Sequence, residues 1–324
     1  MDEELRLGMI TAKDHLISTF LTTLLLGSNV VLCFICVQIL VNRHRDGVPS
    51  ASRLLCATVL HLCLCIGHSA AFFGAALQGL VNHASEPYGA ATYFNEHWAG
   101  GWKTAQIAFF AGNDACYNAI LVWRIHVVMS SDWRFTIPTA AMAIGAAIGG
   151  FGSAVRAAML PCEIGITDFF TALAPWLTSF TVTSAAMQVI SSLLISWKVW
   201  AVVVRDTDSK PRSCNFVSAE CASLRIIIES GVVRALCGIT LVPFAWGDSM
   251  GAVIVAAVAC QVDATASYLI IIRTESLRTG NTRRPSTNYL SDVPLDSIQL
   301  TEFTKTRDIT QRRTRAASVG SSMA

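Results

Sequence analysis

The sequence predicts an all-α membrane protein, a seven-transmembrane helix bundle with its N-terminus outside and its C-terminus cytosolic. Three observations predict it. Of 324 residues, 53% are hydrophobic and only 14% charged. The apolar residues gather into runs long enough to cross a hydrocarbon core of about 30 Å. Lys and Arg collect on one side of those runs. A mean hydropathy of +0.50 makes lipid the solvent, so the lipid bilayer is the first partner implied. The formal net charge of +2 gives no ground for nucleic acid.

The N-terminal segment, residues 1–14, is acidic and predicts a short extracellular stretch. Behind it, Leu16 to Val41 is 26 residues of apolar chain, too long for the signal-peptide core of about 7–15, and is retained as the first helix. The next runs are Leu54 to Leu80, Thr104 to Trp123, Ile137 to Val155, Thr171 to Trp197, Ile226 to Ala245 and Met250 to Ile272. The transmembrane domain thus covers 15–273. Turn formers separate the runs: Asp46, Gly47 and Pro49, then Pro161, then Asp208, Ser209, Lys210 and Pro211. Pro138 and Pro175 are expected near helix starts, where a missing amide costs little. Residues 274–324 have no apolar period and predict a disordered cytosolic tail. There, Arg lies two or three residues before Ser286 and Ser318, which makes both serines phosphorylation candidates.

Orientation follows from the basic residues. One side carries Arg6, Lys13, Lys103 and Arg156. The other carries Arg43, Arg45, Arg53, Arg124, Arg134, Lys198, Arg205, Lys210, Arg212 and Arg225, before the chain from Arg273 onward adds nine more. The richer side is cytosolic. Trp98, Trp102, Trp176 and Trp246 fall at the outer boundary and Trp123, Trp133, Trp197 and Trp200 at the inner, as amphipathic rings favour headgroups. The plasma membrane is the expected location.

Four ionisable groups lie inside the runs: Asp114, Glu229, Arg234 and Asp263. Each costs roughly 2.5–3.5 kcal/mol on insertion. Asp114, Arg234 and Asp263 each sit nine residues from a cytosolic helix end, roughly 13 Å deep, so they form a candidate buried charge cluster. Glu229 is shallower, at roughly 6 Å, and does not share a face with Arg234. A structural ion pair and a switch broken on activation are both open readings. Polar stripes accompany these charges: Thr58, His61, Cys65 and His68 on the second run, Asp114, Tyr117 and Asn118 on the third, Thr181, Ser184 and Gln188 on the fifth. In lipid such faces turn inward, for interhelical hydrogen bonding or for a ligand or proton path. Gly145, Gly149 and Ser153 space small residues by four, a pattern for close packing within the chain or between two copies.

Several function classes are excluded by residue placement. Most of the eleven cysteines lie within apolar runs, as small hydrophobes, and no CxxC pair recurs, so no metal site is expected. A retinal protein needs a lysine in the last helix, and Lys13, Lys103, Lys198, Lys210 and Lys305 are all elsewhere. A seven-helix zinc hydrolase needs late ligands, and no His follows His126. No enzyme activity and no cofactor are expected.

Asn113 to Trp133, with Asp114 followed by Trp123-Arg124-Ile125-His126, together with Ile226-Ile-Ile-Glu-Ser-Gly231, resembles a family of uncharacterised seven-transmembrane, receptor-like proteins of mushroom-forming (basidiomycete) fungi. The resemblance spans roughly residues 15–275 and implies the seven-helix topology. His126 stands where that family commonly has Tyr, and Arg234 where it is usually apolar or Tyr. Arg124, carried over from the motif, becomes the cytosolic coupling candidate.

Two function classes remain. A receptor-like sensor of a small-molecule or peptide ligand, coupled to a cytosolic G protein, fits the topology and the basic loop between the fifth and sixth helices. It is not of the rhodopsin class, since the acid before Arg124 and an Asn-Pro-x-x-Tyr motif are absent and no Cys stands atop the third helix to pair with Cys162. A transporter or channel would use the same midplane charges. Pore shape discriminates: a continuous polar path favours transport, and an outer pocket closed below favours a receptor.

Overall fold

In lipid, a backbone amide finds its partner only along its own helix, which turns an apolar run into a helix. A computed structural model describes residues 2–47, 50–85, 88–129, 132–209, 236–237, 240 and 251–282. Among these the chain is all-helical: α1 (Asp2–Arg45), α2 (Ser50–Leu77) prolonged by a π-helical turn (Gln78–Asn82), α3 (Gly89–Glu96), α4 (Gly101–Val128), α5 (Trp133–Ala158), α6 (Ile166–Ser209) and α7 (Gly251–Thr282). Most of the expected sixth run, Ile226 to Ala245, lies outside the described residues, as do Glu229, Arg234, Ser286 and Ser318.

Five described helices are long and apolar enough to cross a membrane: α1, α2 with its π turn, α5, α6 and α7. α3 is too short. α4 has the length, but Lys103, Asp114 and Arg124 interrupt its apolar composition. It compensates by position, packed against α2, α5 and α6, with Lys103, Gln106, Asn113, Asp114 and Asn118 all buried.

Several boundaries require correction. α1 begins at Asp2 rather than Leu16, so residues 2–14 are helical, with acids at the N-terminus where the helix dipole favours them. α5 starts at Trp133, capped by Asp132, whose side chain accepts from the Arg134 amide at 3.0 Å. α6 starts at Ile166. Pro138 and Pro175 therefore lie inside their helices, each leaving a carbonyl without its helical donor. α7 continues through Thr282, past the expected boundary at Arg273, because no Gly or Pro interrupts it before Gly280. α1 ends where Gly47 adopts φ 82° and donates its amide to the His44 carbonyl at 3.1 Å.

The helices alternate in direction. Val253, early in α7, packs with Ile166 and Phe169 at the start of α6, Ala157 at the end of α5 and Trp98 ahead of α4. Ile195, late in α6, packs with Ile125 and Met129 at the far end of α4. Lipid-type burial is visible on α1: Phe20, Leu24, Val31 and Phe34 are exposed, while Ser18, Thr22 and Asn29 are buried. A water-soluble fold shows the reverse. Two glycines permit close approach. A Cβ at Gly8 would run into the Ala91 carbonyl, so Gly8 lets α3 lie on α1. At Gly149 a Cβ would come within 3.0 Å of the Phe180 amide, so part of the small-residue stripe packs α5 on α6 within the chain.

Candidate functional site

The polar side chains of α2, α4, α6 and α7 fall into layers along the bundle. Deepest toward the far end is a network around Asp114. Ser184 donates to its Oδ1 at 2.7 Å and Asn118 to its Oδ2 at 2.8 Å. Gln188 reaches Asn118 Oδ1 at 3.5 Å. All four side chains are buried. The two stripes read from the sequence on these helices therefore face each other. Asp263 is fully buried on α7, one turn from Ala266, which packs with Tyr117 and Met187, so it faces the α4–α6 seam that Asp114 occupies. Pairing of either acid with Arg234 falls outside the described residues.

Beside this network, a second one joins α1, α2, α4 and α7. His61 Nδ1 lies 2.8 Å from Asn113 Oδ1, and Asn113 donates to the Cys260 carbonyl at 2.6 Å. Because the Asn113 oxygen accepts, the His61 proton is assigned to Nδ1, and Nε2 is a buried acceptor without a hydrogen bond among the described residues. Gln261 donates to the Cys65 carbonyl at 3.3 Å and to Ser69 at 3.2 Å, and Asn29 donates to Gln261 at 2.9 Å. Asn29, Asn113 and Gln261 lie outside the polar stripes of the sequence. Asn29 is a lone amide in an apolar run, while Asn113 stands beside Asp114 and Gln261 two residues before Asp263, and a polar residue within an apolar run is the available signal.

An aromatic layer lies above both networks. Phe72 on α2, Phe110 on α4 and Phe180 on α6 are buried. Phe110 and Phe180 pack edge to face at 5.4 Å. His68 fits between Phe72 and Phe110, at 5.0 and 6.3 Å.

Above the aromatic layer, at the α3 end, is a pocket lined by Ala75, Tyr93, Phe94, His97, Trp98, Gly100, Trp102 and Lys103, with room for about one water molecule (≈ 10 Å³). Lys103 stands just ahead of the apolar run that begins at Thr104, yet only 8% of it is exposed. Its ammonium lies 4.1 Å from the Trp98 ring centroid, a cation–π contact, and touches His15 Nε2. His15 is stacked on Phe94 at 4.7 Å, and Trp98 donates to the Phe94 carbonyl at 2.5 Å. Tyr93 and His97 stack at 5.2 Å. Burial draws the Lys103 ammonium down to about 7. By its sequence position Lys103 is only a topological marker; its burial comes from α3, a helix of eight residues too short to form a spanning run.

Arg124 sits at the opposite end of α4, partly buried, with Nη1 buried and without a hydrogen-bond partner among the described residues. Neighbouring His126 lies 3.2 Å from the Thr136 hydroxyl of α5. Among the described residues no cluster of His, Cys, Asp or Glu has the arrangement to hold a metal ion. Comparison with protein-family models, curated proteins and solved structures finds no match to the chain.

Proposed function

We propose that this multi-pass membrane protein is a receptor-like sensor of a small molecule that enters at the α3 end. The observation that carries the reading is the pocket around Lys103 with an aromatic layer beneath it, Phe72, Phe110 and Phe180, between the pocket and the Asp114 network. A site open at one end and closed below suits binding that is reported across the bundle rather than passage through it. A seventh crossing belongs to the proposal: Ile226 to Ala245 is apolar enough in sequence to provide it, and α6 leaves the α3 end while α7 begins there. The count of Lys and Arg supports placing the α3 end outside, and the fungal receptor-like resemblance of Asn113 to Trp133 supports coupling through Arg124 to a cytosolic G protein.

The test is co-purification from native membranes. A heterotrimeric G protein that accompanies the chain and is released on stimulation supports the sensor; its absence under every stimulus removes the coupling. A transporter is the second reading, favoured by the buried polar ladder of His61, Asn113, Gln261 and Asn29. Solute uptake into proteoliposomes, lost on substituting Asn113, would establish it instead.

A further inference from the structure

The pocket at the α3 end contains hydrogen-bond donors without a full set of acceptors among the described residues. Lys103 has three N–H groups when charged and no lone pair. One meets His15 Nε2, which must then accept, leaving the His15 proton on Nδ1. Among the described residues that Nδ1 is buried without a hydrogen bond, and so is His97 Nδ1. Trp102, on the pocket wall and 45% exposed, carries an indole N–H that can only donate. Among the described residues the polar contacts of Lys103 are His15 and the face of Trp98; no carboxylate is among them. A buried lysine without an acid is costly on structural grounds alone. The arrangement makes physical sense when an acceptor, preferably an anionic one, arrives from outside the chain.

The remaining walls define the rest of that acceptor. Ala75, Phe94, Trp98 and Trp102 are apolar or aromatic, and the space beside Lys103, with room for about one water molecule, admits a small acceptor atom rather than a bulky polar group. Tyr93 and His97 form a stacked rim. We propose that this pocket takes the carboxylate of an otherwise apolar small molecule, the head group held by Lys103 and His97 and the tail laid against Trp102. The assignment rests on the sensor reading only for its consequence, not for the site itself.

The experiment uses the full chain in lipid nanodiscs, with acetate, phenylacetate and octanoate as probes, each against its own amide. Titration gives Kd, and the ligand-induced change in Tm gives a second readout. The expected result is that phenylacetate or octanoate binds at least about tenfold tighter than the matching amide, with the preference lost in Lys103→Met. Because that substitution removes a buried cation lacking a carboxylate partner, the ligand-free Tm should hold or rise. If it falls, Lys103→Arg decides: Arg restoring both Tm and acid preference supports the site, whereas Arg restoring Tm alone identifies a structural cation and overturns it. Equal binding of acid and amide for all three probes also overturns it, as does an acid preference that survives Lys103→Met. Acid binding without release of a G protein would sink the sensor reading and leave the site standing. A stimulus response without acid preference would do the opposite.

Discussion

Asn29 on α1 and Gln261 on α7 are joined across 232 residues of chain: the Asn29 amide nitrogen lies 2.9 Å from the Gln261 side-chain oxygen and 3.0 Å from its backbone carbonyl. The Asn29 oxygen in turn accepts from Thr265 at 2.7 Å. Interhelical hydrogen bonds in membranes contribute about 0.6–2 kcal/mol. Gln261→Leu removes several at once and should destabilise by about 2 kcal/mol, and Asn29→Leu by about 1 kcal/mol. The double variant should lose less than the sum, because the pair shares a bond. Unfolding in mixed detergent micelles measures all three; strictly additive losses would show that the contact contributes nothing.

The buried acids give a second prediction. If Arg234 pairs with Asp114 or Asp263, then Arg234→Leu strands a carboxylate and should cost about 3–5 kcal/mol. Replacing the true partner by Asn in the same chain should recover much of that. Asp114 also accepts from Ser184 and Asn118, and rescue by Asp263→Asn would assign the pair to Asp263. Rescue by Asp114→Asn alone would reverse that assignment.

At Gly149 the α6 backbone leaves no space for a side chain, whereas at Gly145 the nearest atom to an added Cβ is 3.7 Å away. Gly149→Leu should therefore destabilise by about 1–3 kcal/mol or more through overpacking, while Gly145→Ala should be close to neutral. Were both variants equally stable but altered in cross-linking between copies, the stripe would serve dimerisation instead.

Lys103 supplies a dependence on pH. Its ammonium, drawn down to about 7, is charged below that pH and neutral above it. Binding of phenylacetate should weaken as pH rises from 6 toward 9, by up to about tenfold per unit. His15, His97, His83 and Tyr93 are the other ionisable side chains around the pocket. Binding that is flat with pH, measured by isothermal titration, would contradict a charged Lys103 as the anchor.

How much was legible in the sequence depends on the kind of signal. The long helices and the inward faces of His61, His68, Asp114, Asn118 and Gln188 were readable, because a polar residue in lipid has one sensible direction to point. The mutual contacts were not: Ser184 meeting Asp114 requires the rotation of α6 against α4, which no spacing within one helix encodes. α3 was invisible because eight residues with Tyr93, Asn95 and Glu96 carry no spanning pattern. Lys103 looked like an exposed marker of the outer side for the same reason, since the segment that buries it had not been recognised as structure.

The composition of α4 has a consequence for biogenesis. Asp114, near the middle of that segment, would oppose its entry into the lipid on its own, by roughly 2.5–3.5 kcal/mol, and Asp114 and Asn113 are satisfied in part by groups that emerge from the ribosome later, Ser184 on α6 and the Cys260 carbonyl on α7. During synthesis α4 is therefore a provisional segment that commits only when its successors arrive. A nascent chain arrested before Ser184 holds a helix that the membrane has reason to reject, and quality control has that interval in which to act.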